Sequence, residues 1–500
     1  MVIEIVAGRV MAPDLGVSLY TWTSIIGMVL TGITAGNFLG GKIADKTPST
    51  GVLGLMFLVS AGAVAAINYW AMFFHFGRSA GAFAGFPLIY ATLLYSFVVF
   101  FPPAFFLSMV TPMVVKLRLT SLGETGRTVG KIYATSALGS IVGTFVTGYW
   151  LIAWFGTRFL VGLVAAMLAL VGIWVIGKWQ FKLKSLLMLV LFLGGAFWLP
   201  SPCDRESQYY CLVEQETGES KGGLSKILKL DNLIHSYVHA STNGTIDEFG
   251  YDYELFFALL MAAQNDPDDE FSTLTLGGGG YVGPRYIRQA YPNSQVAVAE
   301  IDPAVTKFVH SNFGLRENGD IEVYHEDARQ YLKSLPEDKK FDYIFTDVFN
   351  DLSVPYHLVT SEFAAIAKAR LAPGGWYAVN IIDNYEEGRF SASFIATLQD
   401  NFAQVYLFPL SPDWKKRERV TLVILASDNE LAGGELKNTK LPIAMKDWES
   451  MSAENKAKIT YMVPEEEMMA YMEEKEGFVL TDDFVPVEKM LAPLFANKAY

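Results

Sequence analysis

Glycines and carboxylates recur at the ends of short apolar runs in the second half of this chain. Gly277, Gly278, Gly279 and Gly280 follow the run Ser272–Leu276. Glycines placed there allow a tight turn and bring backbone N–H groups close to a bound molecule. Glu300 lies in the next run, Gln295–Ile301, about twenty residues on, where a carboxylate accepts hydrogen bonds from both hydroxyls of a ribose. Asp327 and Ala328 follow Ile321–Tyr324, placed for the amino group of an adenine, and Asp347 closes Tyr343–Thr346. Alone, each is an ordinary solvated loop residue. Four such features in order, at four successive segment ends, predict a nucleoside site with Asp347 at its mouth.

Those residues need a sheet to hold them. From residue 272 onward, strand-like runs alternate with helical periodicity, which predicts a doubly wound, Rossmann-like α/β domain of the methyltransferase type. Further strands are expected at Trp376–Asn380 and near 404–408 and 419–425. This nucleoside-binding domain is set at 261–430. Before it, residues 201–260 read as a small β-rich region, with alternating segments Tyr209–Glu214 and Lys226–Leu230 about the Gly/Ser-rich turn Thr217–Leu224. After it, 431–500 reads as a helical extension whose acidic cluster, Glu465–Glu467, is a solvated helix face.

The first 200 residues differ in kind. They carry a balance of +8 within a total of −13, which leaves −21 for the remainder. Apolar runs of spanning length stand at 17–41, 52–77, 87–115, 135–155, 157–177 and 184–200, more than a signal peptide explains. A multi-pass α-helical membrane domain over 1–200 is expected, with Met1–Ala7 as the last turns of a further helix. Gly32, Gly36 and Gly40, and again Gly139 and Gly143, repeat at the spacing that lets helices approach closely in lipid. Pro102 and Pro103 free carbonyls within the third span and are expected to kink it. Gly40–Lys46 resembles a short basic loop of major-facilitator transporters.

The loops 42–51, 116–136 and 178–184 carry 2, 4 and 3 Lys/Arg and the alternate loops 78–86 and 156–158 one each, so the positive-inside rule, with 184–200 crossing outward, puts the soluble half outside. Cys203 and Cys211, the only cysteines, follow the last run; an even pair there suits a disulfide in an oxidising compartment. The acidic second half disfavours nucleic acid and suits cationic small molecules. No Cys/His spacing points to a metal.

On these residues the chain resembles the polyamine aminopropyltransferases, the spermidine synthase family, over 205–380, and especially members fused to a membrane domain. Leu230–His235 resembles the family's Leu-Asp-Gly-x-x-Gln, Asp247–Tyr251 its Asp-Glu-x-x-Tyr, and Ala299–Asp302 its Val-Glu-Ile-Asp. Asp327-Ala328 matches its adenine-side Asp-Ala, and Phe341–Asp347 the strand bearing its catalytic aspartate. His357–Phe363 and Leu371–Gly375 extend the match. Leu480–Pro486 resembles a C-terminal element of the membrane-fused members.

The resemblance implies transfer of an aminopropyl group from decarboxylated S-adenosylmethionine to an amine such as putrescine, releasing methylthioadenosine. The sulfonium already activates the carbon under attack, so no metal and no permanently bound cofactor is expected. Asp347 is then the candidate general base for an ammonium of reference pKa near ~10.4. Gly277–Gly280, Glu300, Asp327 and Ala328 would hold the cosubstrate. Among the substrate-binding residues, Tyr251 would flank the aminopropyl chain, although a lone aromatic is more often core, and His235, Asn350 and Asp351 would meet the acceptor.

Three departures stand out. Gly280 replaces an aspartate of the glycine loop, His235 replaces a glutamine, and the Asp-x-x-Asp becomes Asp347–Asn350 with Asp351 one position late. They keep two rivals open: a methyltransferase using intact S-adenosylmethionine, which Gly280 favours by leaving room for its carboxylate, and a transporter or sensor that binds nucleoside or polyamine without turnover. The expected partners are a polyamine or other amine and the lipid bilayer; a homo-oligomer is compatible with the sequence. The expected location is the cell membrane, with the soluble domain extracytoplasmic.

Overall fold

The structure is a computed structural model; it describes residues 1–82, 86–119, 121, 123, 125–176, 200–217, 223–241, 244–316, 320–348, 354–417, 419–431, 436 and 439–496. The chain divides into two compact units, Met1–Cys211 and Leu212–Ala496.

Among the described residues of the first unit, five helices are long and apolar enough to cross a membrane: Leu19–Lys46, Thr50–Ser79, Leu88–Arg118, Thr125–Leu151 and Trp154–Ile176. The sixth expected span, 184–200, lies outside the described residues except at Pro200. Glycine sets one contact as expected. A Cβ at Gly36 would stand 2.2 Å from the Phe105 carbonyl oxygen, and one at Gly40 2.6 Å from the Met109 Cα, so only glycine permits this helix approach. Gly139 and Gly143 behave differently: among the described residues a Cβ meets nothing within 4 Å at the first and only Val2, at 3.5 Å, at the second. Pro102 and Pro103 sit within the helix Leu88–Ser108, and the helix breaks later, at Met109. Gly40–Lys46 continues a helix and is not a loop.

Cys203 and Cys211 form a disulfide, with Cα atoms 5.3 Å apart. Between them the short strand β1 (Arg205–Glu206) is tied within its unit. The Glu206 carboxylate accepts from Thr157 N at 2.7 Å and Thr157 Oγ1 at 3.0 Å, and Arg9 donates to the Ser207 and Tyr209 carbonyls. The sequence reading missed one pair here: the buried Asp14 Oδ1 lies 2.8 Å from Nδ1 of the half-buried His75.

The second unit holds two sheets. Strands β2 (Cys211–Glu216), β3 (Gly223–Leu230), β4 (Leu233–Ser241) and β5 (Ile246–Phe249) pair antiparallel in chain order. The larger sheet contains β6 (Ser272–Leu276), β7 (Gln295–Ala299), β8 (Glu322–Tyr324), β9 (Phe341–Thr346), β10 (Leu371–Asp383), β11 (Gln404–Phe408) and β12 (Val420–Ser427). Its order is β11-β12-β10-β9-β6-β7-β8. Strands β6 to β10 run parallel, and β12 runs antiparallel to both its neighbours.

Helices on both faces explain why these strands read as nearly unbroken apolar runs. Leu274, Ile344, Tyr377 and Ile424 are fully buried in one core. The chain runs outward from β6 to β7 and β8, then returns to β9 on the other side. That reversal makes the carboxyl ends of β6 and β9 a topological switch point, the position at which open α/β sheets bind ligands.

Candidate active site

Three strand ends are stitched together at the switch point. Gly277 N donates to Ala299 O at 2.9 Å, and Asp347 N donates to Leu276 O at 2.9 Å. Gly277 has φ +92°, and a Cβ there would fall 2.1 Å from the Asp347 carbonyl oxygen. Only glycine lets β6 turn this close to the end of β9.

Glu300 sits just past β7 and is buried. Its Oε2 accepts from Gly278 N at 2.8 Å and its Oε1 from Asp302 N at 2.9 Å. Burial pushes its carboxyl above the ordinary range, while the Asp302 and Gly278 N–H groups pull it back. The carboxylate therefore braces the glycine loop, a role that the sequence did not reveal. Asp302 caps the next helix through Ala304 N.

Asp327 caps the helix Ala328–Ser334, its Oδ1 accepting from Arg329 N and Gln330 N, both at 3.1 Å. Its Oδ2 meets His357 Nε2 at 2.7 Å, the leading cause of a carboxyl held below its ordinary range. Ala328 is buried as the first helical residue.

Asp347 stands at the mouth with both oxygens engaged. Tyr253 OH donates to Oδ2 at 2.7 Å, and Asn380 Nδ2 donates to Oδ1 at 3.0 Å. Tyr253 stacks on Tyr251 at 5.5 Å, and Tyr237 meets Tyr251 edge-on at 5.3 Å. Tyr251 OH donates to Ile234 O at 2.9 Å, which fixes the ring. A carboxylate beside aromatic faces is a site for a cation. His235 is half-buried, with Nδ1 3.1 Å from Leu233 O. Asn350 and Asp351 lie outside the described residues. Among the described residues, no group of His, Cys, Asp and Glu could hold a metal ion.

Glu254, in the first turn of the helix Asp252–Ala262, caps its start by accepting from Gly250 N and Tyr251 N at 3.2 Å. Burial, reinforced by Asp347, raises its carboxyl to about 8. A carboxyl raised on folding contributes stability that is full below its unfolded pKa of about 4.3 and is lost as pH climbs towards 8. Glu254→Gln keeps an acceptor for the cap and cannot ionise. Thermal melts of the full chain should show wild type losing stability relative to Glu254→Gln between about pH 5 and 8. Parallel pH profiles for the two proteins would contradict this placement of Glu254.

Gly280 corrects an expectation. Its N–H donates to Ser236 Oγ at 2.8 Å, and a Cβ there would lie 2.7 Å from Ser236 Cβ and 2.8 Å from Val238 Cγ2. The missing side chain points at β4, so the glycine does not clear space for a ligand carboxylate. Gly280→Asp should therefore weaken binding of intact and decarboxylated S-adenosylmethionine alike, by about tenfold or more. A calorimetric preference for either compound in that variant would show that the side chain reaches the crevice.

No protein-family profile matches the chain. A polyamine aminopropyltransferase of Vibrio vulnificus is 30% identical over 155 residues, covering 31% of this chain and 50% of that protein. A polyamine aminopropyltransferase of Oceanobacillus iheyensis is 25% identical over 397 residues, covering 75% of this chain and 73% of its own length. Over these spans the chain is similar to polyamine aminopropyltransferases. A crystal structure of a probable spermidine synthase from Corynebacterium glutamicum has a TM-score of 0.40 and 22% identity, covering 46% of this chain and 86% of that one. The match to the Vibrio protein spans half of that relative's length.

Sequence reasoning missed Tyr253, Asn380, Ser236 and the pairing of His357 with Asp327. Two of them left a signal. Tyr253 lies two residues past Tyr251 at a helix start, and Asn380 is a polar residue near the end of an otherwise apolar strand.

Proposed function

We propose that the second unit is an aminopropyltransferase that binds decarboxylated S-adenosylmethionine at the switch-point crevice and alkylates an amine. The observation that carries the reading is the setting of Asp347. It stands at the strand end, held by Tyr253 and Asn380, beside a wall of tyrosines. An acceptor arrives as an ammonium; the carboxylate attracts it, accepts its proton and frees the lone pair for attack on the sulfonium-bound carbon. Glu300 would hold the ribose and Asp327 with His357 the adenine, which fixes the cosubstrate for in-line displacement. Tyr251 would flank the aminopropyl chain and His235 the acceptor. The resemblance of the sequence motifs and the names of the relatives support the same chemistry. Incubating the purified full chain with decarboxylated S-adenosylmethionine and putrescine should yield methylthioadenosine and a triamine. Release of neither product from putrescine or from other primary amines would reject the reading.

The first unit is proposed to hold the protein in a lipid bilayer. Its five apolar helices support this, as do large apolar side chains such as Trp154 and Trp174 exposed on their surfaces. The positive-inside rule, applied with the apolar run 184–200 of the sequence as a further crossing, and the Cys203–Cys211 disulfide both support an extracytoplasmic second unit. Cysteines that an impermeant thiol reagent labels in intact cells only after reduction would support it; free cysteines labelled only after the membrane is opened would place the unit in the cytoplasm.

A further inference from the structure

The C-terminal segment Leu480–Phe484 lies far along the chain from the nucleoside-site residues, yet hydrogen bonds lead from it straight to one of them. Asp482 accepts from Arg329 through both oxygens, Nη1 to Oδ1 at 2.7 Å and Nη2 to Oδ2 at 2.5 Å. Such a planar, two-pronged pair fixes direction as well as distance. The segment is itself anchored. Ser361 N donates to Leu480 O at 2.8 Å, Leu480 N to Thr397 Oγ1 at 2.8 Å, and Asp482 N to Glu362 Oε2 at 3.0 Å. Thr360 Oγ1 adds a further donor to Asp482 Oδ1 at 2.8 Å.

Arg329 passes this order on. It is buried, and its Nη1 also donates to the His357 carbonyl at 3.1 Å. The His357 ring meets Asp327 Oδ2 at 2.7 Å, while Asp327 Oδ1 caps the helix on which Arg329 stands. Asp327, Arg329 and His357 thus close a ring, and Asp482 fastens that ring from outside.

We propose that Asp482 is a positioning residue for the cosubstrate site, acting through Arg329 and His357 to hold the Asp327 carboxylate in place for the adenine. This rests on the proposed reading of a nucleoside site. Arg329 holds the Asp482 carboxyl below its ordinary range, consistent with a charged, engaged pair. Asp347 and its partners Tyr253 and Asn380 are not members of the ring, so the bond-making step is untouched by its loss.

The test uses the full chain, with methylthioadenosine as the calorimetric probe. Asp482→Asn should raise its Kd about tenfold, since the charge-assisted fork is lost, and should raise KM for the cosubstrate in step. Turnover at saturation should stay within about twofold of wild type. Asp482→Glu, which keeps the carboxylate, should recover most of the affinity, and Arg329→Lys should behave like Asp482→Asn. In an Asp327→Asn background, Asp482→Asn should add little, because both act on one group. Wild-type affinity in Asp482→Asn, or losses that multiply in the double variant, would overturn the inference and leave the nucleoside site standing. A wild-type chain that fails to bind methylthioadenosine would overturn both.

Discussion

Asp347→Asn is expected to lower turnover by about 10²–10⁴ while methylthioadenosine binds almost as before. The substitution keeps the shape of the side chain and removes its capacity to take a proton. The surroundings can absorb the change. Tyr253 can still donate to the remaining oxygen of the new amide. Asn380, whose Oδ1 has no hydrogen-bond partner among the described residues, can turn to accept from its N–H. The loss should therefore fall on the chemical step, visible as a drop in kcat with little change in cosubstrate KM. A purified variant turning over at the wild-type rate would remove Asp347 from the role of base.

Glu300→Ala is expected to weaken methylthioadenosine binding by about 1–3 kcal/mol. Two losses combine. The ribose hydroxyls lose a charged acceptor, and the Gly278 and Asp302 N–H groups, now satisfied at 2.8 and 2.9 Å, lose their partner inside the fold. The second loss loosens the glycine loop itself, so a fall in melting temperature should accompany the loss of affinity. Glu300→Gln retains one acceptor and should sit between the two. Calorimetry that finds equal affinity in wild type and Glu300→Ala would contradict the assignment of the ribose site.

The parts of this fold that follow from local pattern were legible in the sequence. Strands β6 and β11 occupy the residues expected of them, and β7, β8, β9 and β12 differ only at their ends, because apolar runs between helices report burial directly. Gly277, Glu300 and Asp347 meet at the ends of β6, β7 and β9 because each directly follows a strand, and strand ends can be read. What required three dimensions was the second partner of each residue. Nothing along the chain tells that Glu300 braces Gly278, that His357 reaches Asp327, or that Arg329 meets Asp482 across the length of the domain. Gly280 shows the same limit from the other side. Its identity was plain, but the direction of its missing side chain, towards Ser236, depends on a strand far earlier in the chain. In the helical unit Gly36 and Gly40 meet a partner helix closely, whereas Gly139 meets none among the described residues, and spacing alone does not tell the two apart.

The most direct test of the account offers the full chain both sulfonium compounds at once, with an amine acceptor, and identifies the nucleoside released by mass spectrometry. The proposed mechanism predicts methylthioadenosine, formed in step with the alkylated amine and suppressed in Asp347→Asn. Release of adenosylhomocysteine would mean that a methyl group is transferred from intact S-adenosylmethionine, and would contradict the account at its centre.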